Sequence, residues 1–199
     1  GGNWVGPGLE TTRYRILNSS QVQVRSGNNT TGYIFWNVPS AGFGSNQEAY
    51  FTFDKVSTTA TDQDLILKAT GLNGGSVIVN GTSRLIVVQY NHANQQVLIR
   101  TMAPGQGTAA NPIIRKTIYG VTFAPGDTFG ARALADGTVD VFKNNVLIGS
   151  VDVTQPTGAT AGWPVAYATG GGKIGTWFKG TLAVPNDARF DNFGGGTIP

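Results

Sequence analysis

Residues 124–153 read APGDTFGARALADGTVDVFKNNVLIGSVDV, three short alternating runs separated by tight turns. Pro125-Gly126-Asp127 opens the first run, TFGARALA, and Ala135-Asp136-Gly137 leads into the second, GTVDVFK. Asn144-Asn145 then closes a hairpin onto VLIGSVDV. A period of two between such turns predicts antiparallel strands and leaves no room for a helix. One irregularity is informative. Val139 and Val141 alternate with Thr138 and Asp140, so the valines face the core, and across the turn Ile148 joins their face. Val151 and Val153 then have the wrong parity unless the strand slips by one residue at Gly149. A bulge or bend is expected there, because glycine tolerates one at least cost.

The same pattern covers the rest of the chain. Strand-like runs fall at residues 13–17, 21–25, 32–36, 49–54, 64–69, 84–90, 97–102, 118–123, 172–179 and 188–193. Ser-Arg-Leu-Ile-Val-Val-Gln-Tyr, ending at Tyr90, is almost wholly apolar, as a central strand covered on both faces would be. Residues 91–96, NHANQQ, read as a hairpin loop, and no ten-residue stretch has helical periodicity. The expected fold is all-β, a two-sheet antiparallel sandwich or jelly roll with very little helix. Residues 1–193 read as one domain and the glycine run of residues 194–199 as a terminal tail or linker.

A chain of 199 residues can bury roughly 70% of its unfolded surface, so it needs neither disulfide nor metal to fold. It has no cysteine, which excludes a disulfide scaffold, a thiolate zinc site and a cysteine nucleophile. Only 13% of residues are charged, and neutral polar residues take their place, a composition common in extracellular β proteins. The net charge of +3 is spread along the chain without a Lys/Arg cluster, so nucleic acid is not an expected partner. No apolar run approaches a membrane span, and the start at Gly1-Gly2-Asn3 reads as a mature terminus or an excised fragment.

The segment GDTFGARALADGTVDVFKNNVLIGS resembles the C-terminal half of concanavalin A-like lectin/glucanase (laminin-G-like) domains of large secreted bacterial proteins. GFGSNQEAYFTFDKV resembles the early core strand of that family, and GGKIGTWFKGTLAVPNDARFDNFGGG its closing strands. With QDLILKATG, the resemblance spans residues 32–196. These motifs mark strands and turns, so they speak to scaffold and not to substrate. The resemblance implies a jelly-roll module that binds carbohydrate or another surface.

Hydrolases of this fold carry a Glu-x-Asp-x-x-Glu motif, supplying the two carboxyls that flank the scissile bond. Here the only glutamates are Glu10 and Glu48, and that motif is absent. Asp62 and Asp64 are the nearest acid pair, and their TTATDQDL context reads as a solvated turn. Tyr90 with His92 is the one grouping a lyase could use, at an expected hairpin tip. The chain therefore reads as a binding module and not as an enzyme.

Sugar recognition needs flat aromatic faces open to solvent, flanked by hydrogen-bonding side chains. Trp163 precedes a proline in a glycine-flanked loop with Tyr167 close by, and that setting argues for exposure. Trp36 ends the strand Tyr33-Ile34-Phe35-Trp36. Trp163, Tyr167, Trp36, Tyr90 and His92 are the expected carbohydrate contacts. The resemblance also admits a structural Ca²⁺, with Asp191 as the carboxylate and Glu48 or Asp54 as partners.

The expected function is a non-catalytic carbohydrate-binding or adhesion module, extracellular or at a cell surface, with a polysaccharide or surface glycan as partner. The alternatives are a structural subunit of a surface layer, filament or virion, which would self-associate or pack on neighbouring domains, and a polysaccharide-degrading enzyme. Sequons at Asn18, Asn28, Asn29 and Asn80 would suit a surface protein, although such short motifs arise readily in an Asn/Thr-rich chain.

Overall fold

A computed structural model describes residues 3–7, 14–17, 21–24, 32–178 and 188–199. The first half of the chain supplies β1 (Trp4–Val5), β2 (Tyr14–Leu17), β3 (Gln21–Val24), β4 (Tyr33–Trp36), β5 (Gln47–Lys55), β6 (Gln63–Thr70) and β7 (Arg84–Asn91). Next come β8 (Gln96–Met102), β9 (Ile113–Tyr119), β10 (Thr128–Ala133), β11 (Thr138–Lys143) and β12 (Val146–Asp152). A four-residue helix α1 (Val165–Ala168), β13 (Lys173–Phe178) and β14 (Arg189–Thr197) complete the fold. Among the described residues strand dominates, helix is confined to α1, and no helix is long and apolar enough to cross a membrane.

The described strands form two antiparallel sheets, β1-β4-β13-β6-β7-β8-β9 and β12-β11-β10-β5-β14-β3-β2, packed as a sandwich without a closed barrel. Their inner faces meet in an aromatic slab. Phe51 and Phe53 alternate inward from β5 and touch edge-on at 4.9 Å, while Phe129, Phe178 and Phe190 close around them. Each such ring, taken wholly out of water, contributes roughly 1.5–3 kcal/mol. Tyr90, Val88, Ile86, Val139 and Val141 extend this core.

A second cluster lies on the outer face of the first sheet. Tyr33, Phe35, Ile66, Leu85, Val87, Met102 and Trp177 gather there with Ile78. The Ile78 amide donates to the Tyr33 hydroxyl at 3.0 Å, which ties the segment between β6 and β7 over the sheet. This is why β7 is apolar on both faces.

The hairpin irregularity falls where the valine parity placed it. Val141 pairs with Gly149 but Phe142 pairs with Leu147, leaving Ile148 as the extra residue. A Cβ on Gly149 would stand 2.4 Å from Ile118 Cδ1, so the glycine also lets the edges of the two sheets approach. Asn144 and Asn145 have φ of 50° and 65°, the left-handed pair of a type I′ turn.

Two expectations are corrected. The strand expected at residues 118–123 is β9, five residues earlier; it stops before Gly120, at φ 73°, and the irregular chain beyond buries Val121 and Phe123. The glycine run expected to be a tail is part of β14, with Gly194, Gly195 and Gly196 paired to Tyr50, Ala49 and Glu48. Composition misled here because the run is glycine for packing: a Cβ on Gly195 would lie 2.2 Å from the Glu48 carbonyl.

Candidate functional site

The structure does not bring the five expected sugar contacts together. Trp163 is 1% exposed, and its Nε1 donates to the Met102 carbonyl at 3.2 Å. No face of it is open to a ligand, which corrects the exposure inferred from its loop; the chain folds the ring inward because its apolar area outweighs the local turn residues. Tyr167 packs edge-on to Trp163 at 5.7 Å beneath the Arg84 guanidinium. Tyr90 is wholly buried. Its hydroxyl accepts the Phe123 amide at 3.1 Å and shares a hydrogen bond with His92 Nδ1 at 2.9 Å, and burial pushes the phenol pKa up. Arg84 and Tyr90 lie six residues apart on β7, so these two groups are about 20 Å apart. Trp36 is in a third place, against Trp4 at 5.2 Å and Phe193 at 6.3 Å.

The acid pair is also relocated. Asp62 and Asp64 are buried, because β6 begins at Gln63 and draws both under the surface. Asp62 accepts the Gln89 amide at 2.9 Å and the Thr61 hydroxyl, and Gln89 accepts Arg100 Nη1 at 2.6 Å. A solvated turn is not what they form.

Each of the calcium candidates has another partner in this structure. Glu48 and Asp54 are six residues apart on β5, roughly 20 Å, and each has a guanidinium partner. Arg132 Nε is 3.2 Å from Glu48 Oε2, and Arg189 pairs with Asp54. Asp191 Oδ1 accepts the Asn192 amide at 2.7 Å. Among the described residues no three His, Asp or Glu side chains stand close enough to hold a metal.

A groove of about 500 Å³ opens instead on the outer face of the second sheet, over β5, β10 and β11. Outward positions line it, with Glu48, Tyr50 and Thr52 from β5, Thr128, Gly130 and Arg132 from β10, and Phe142 from β11. Register sets these in rows across the strands. Tyr50, Gly130 and Phe142 are direct neighbours, as are Glu48, Arg132 and Asp140. Gly130 therefore leaves a gap between two aromatic side chains whose Cα atoms are about 10 Å apart, two strand spacings.

Tyr50 is the exposed aromatic of this groove, at 39%. A Cβ on Gly194, its partner across the ladder, would lie 2.4 Å from Tyr50 Oη and 2.5 Å from Cζ. The ring thus leans over bare backbone that any other residue would fill. Phe142 is faced by the Arg132 guanidinium at 5.1 Å, and the same guanidinium holds Glu48.

The other end of the groove is braced by the hairpin. Thr52 and Thr128 hydroxyls are 3.3 Å apart, and the Thr128 amide donates to Asn144 Oδ1 at 2.7 Å. Asn144 in turn donates to Asp127 at 2.7 Å, and Lys143 lies 3.0 Å from Asp127. Partial burial works against ionisation of Asp127, but Asn144, the Ala124 amide and Lys143 outweigh it and hold the carboxyl below its usual range. The sequence carries a signal for this groove that the reading above left unused. Tyr50 alternates against Phe51 and Phe53, and Phe142 against Val139 and Val141, so both rings must face out.

No protein-family model and no curated protein matches the sequence. Among solved structures, the carbohydrate-binding module CBM66 from Bacillus subtilis is similar over 98% of this chain and 96% of its own, at 10% identity and TM-score 0.52. The potassium-bound Emp46p carbohydrate recognition domain is similar over 99% and 90%, at 11% identity and TM-score 0.60. Alginate lyase A1-II′, of polysaccharide lyase family 7, is similar over 94% and 85%, at 9% identity and TM-score 0.51. At such identities the likeness is one of fold: this chain shares a two-sheet jelly-roll sandwich with these structures.

Proposed function

We propose that the protein is a non-catalytic carbohydrate-binding module and that its sugar site is the groove over β5, β10 and β11. The observation that carries this reading is Tyr50, an exposed aromatic backed by glycine and flanked by an Arg–Glu pair. Sugars need that combination, since their C–H faces stack on a ring while their hydroxyls bond to polar side chains at its edge. The fold is shared with a carbohydrate-binding module and a carbohydrate recognition domain, which supports the same class of ligand. A surface glycan as ligand and the low charge of the chain suit an extracellular or cell-surface setting.

The same row of residues weighs against hydrolysis. Glu48 and Asp140 flank Arg132, so a guanidinium stands where a hydrolase would hold an acid and a base across the sugar. Binding to a glycan array tests the proposal. Wild type should retain a restricted set of glycans, and Tyr50→Ala should lose them while melting normally; retention of the same glycans by Tyr50→Ala would refute this site.

The structural-subunit reading has one observation in its favour. The neighbouring edges β9 and β12 expose Tyr119 at 77%, Val146 at 65% and Leu147 at 54%. Sedimentation at rising concentration discriminates, because a packing unit would polymerise and a free module would stay at one size.

A further inference from the structure

Lys68 is the most deeply buried cation among the described residues, at 1% exposure, and the groove makes no use of it. Its Nζ sits among four backbone carbonyls from separate parts of the chain. It donates to Ser45 at 2.5 Å, to Leu134 at 3.2 Å, to Gly170 at 3.4 Å and to Ala168. These oxygens precede β5, follow β10, and end and follow α1, so one ammonium gathers three connections at the same end of the sandwich.

The surroundings fix Lys68 in that pose. It adopts φ 53° at the irregularity between Leu67 and Thr70 of β6. Its amide donates to Gln47 Oε1 at 2.8 Å, and Gln47, itself buried, donates to the Gly172 carbonyl at 2.9 Å. A left-handed pose is unfavourable for a non-glycine residue, and the contacts of the amide and the ammonium hold it there. Burial lowers the ammonium to about 8 while the charge of Asp136 pulls the other way, and a ring of carbonyl acceptors calls for the protonated form.

We propose that this cage is a monovalent-cation site and that Lys68 fills it with its own tethered ammonium, in the place a bound metal ion would take. The donor set chooses the charge class. A shell of neutral backbone carbonyls suits a monovalent cation such as NH₄⁺ or K⁺, whereas divalent ions call for carboxylates. Among the described residues no carboxylate pairs with Nζ, and Asp136 acts only at longer range.

Truncation of the side chain should therefore turn an insensitive protein into a cation-dependent one. Lys68→Gly suits the test, since glycine accepts the positive φ and the loss is then that of the ammonium. Melting would be followed at fixed ionic strength in choline chloride, KCl, NH₄Cl and butylammonium chloride. Lys68→Gly should melt well below wild type in choline and regain several degrees, saturably, with K⁺, NH₄⁺ or butylammonium, while wild type does not respond. Lys68→Met, which fills the space without charge, should be destabilised in every salt. A Lys68→Gly response no larger than that of wild type, failure of Lys68→Gly to fold in any salt, or a Lys68→Met as stable as wild type would each overturn the proposal.

Discussion

At the scale of single residues, the division between scaffold and site rests on which aromatics are covered. Trp163 and Tyr50 illustrate it. Trp163→Ala removes a ring from the core and should cost roughly 3–5 kcal/mol of stability, read by denaturant melts. Tyr50→Ala removes a side chain that already faces water, so stability should change little while glycan binding falls by about 100-fold or more, at least about 2.8 kcal/mol. Gly194→Val separates the effect of ring orientation from that of the ring itself. A side chain there displaces Tyr50, so binding should fall although every groove side chain remains. If Trp163→Ala bound glycan less well at unchanged stability, the loop containing Trp163 would be the site after all.

At the scale of elements, the β11–β12 hairpin shows how far sequence pattern reaches. Valine parity and a glycine located its bulge, and Asn144-Asn145 named its turn, because both signals are local. Gly149→Ala should cost roughly 1–3 kcal/mol by overpacking, and Ile118→Val should recover part of it in the double mutant. The hairpin also carries a pH signature. The Asp127 carboxyl lies below its ordinary 3.8 in the native state, so its stabilising contribution is present above about pH 4 and is lost as the pH falls through the native value. Asp127→Asn should therefore flatten the acid limb of the stability curve, with the Thr128 end of the groove as the local reporter.

Other elements were legible only in part, for identifiable physical reasons. Strands such as β5 and β7 announce themselves by alternation or by a continuous apolar run. The glycine half of β14 has no side chains to alternate, and only the neighbouring β5 reveals it as strand. Tyr50 could be assigned to an outer face from parity alone. Its partnership with Gly130 and Phe142 could not, because cross-strand register depends on residues 80 and 92 positions away in the chain. Trp163 failed in the opposite way, because a loop rich in turn residues can still turn inward when a large ring is at stake.

At the scale of the whole molecule, the described residues cover one outer face of the sandwich and leave a groove on the other. The segment between β6 and β7 covers the centre of the first sheet, and the groove lies over the second. The Lys68 ammonium gathers connections at one end of the sandwich, and the carboxylates once expected to hold calcium are spread along β5 and β14 in other pairings. The melting temperature should accordingly be the same in excess Ca²⁺ and in chelator; a drop on chelation would mean a metal that the described carboxylates do not assemble.

The most direct measurement is a backbone-amide NMR titration of the intact protein with a glycan selected from the array. Shifts should concentrate on Glu48, Tyr50, Thr52, Gly130, Arg132 and Phe142 and vanish in Tyr50→Ala. Shifts centred on Trp163 and Tyr167 or on Tyr90 and His92, with the groove silent, would contradict it.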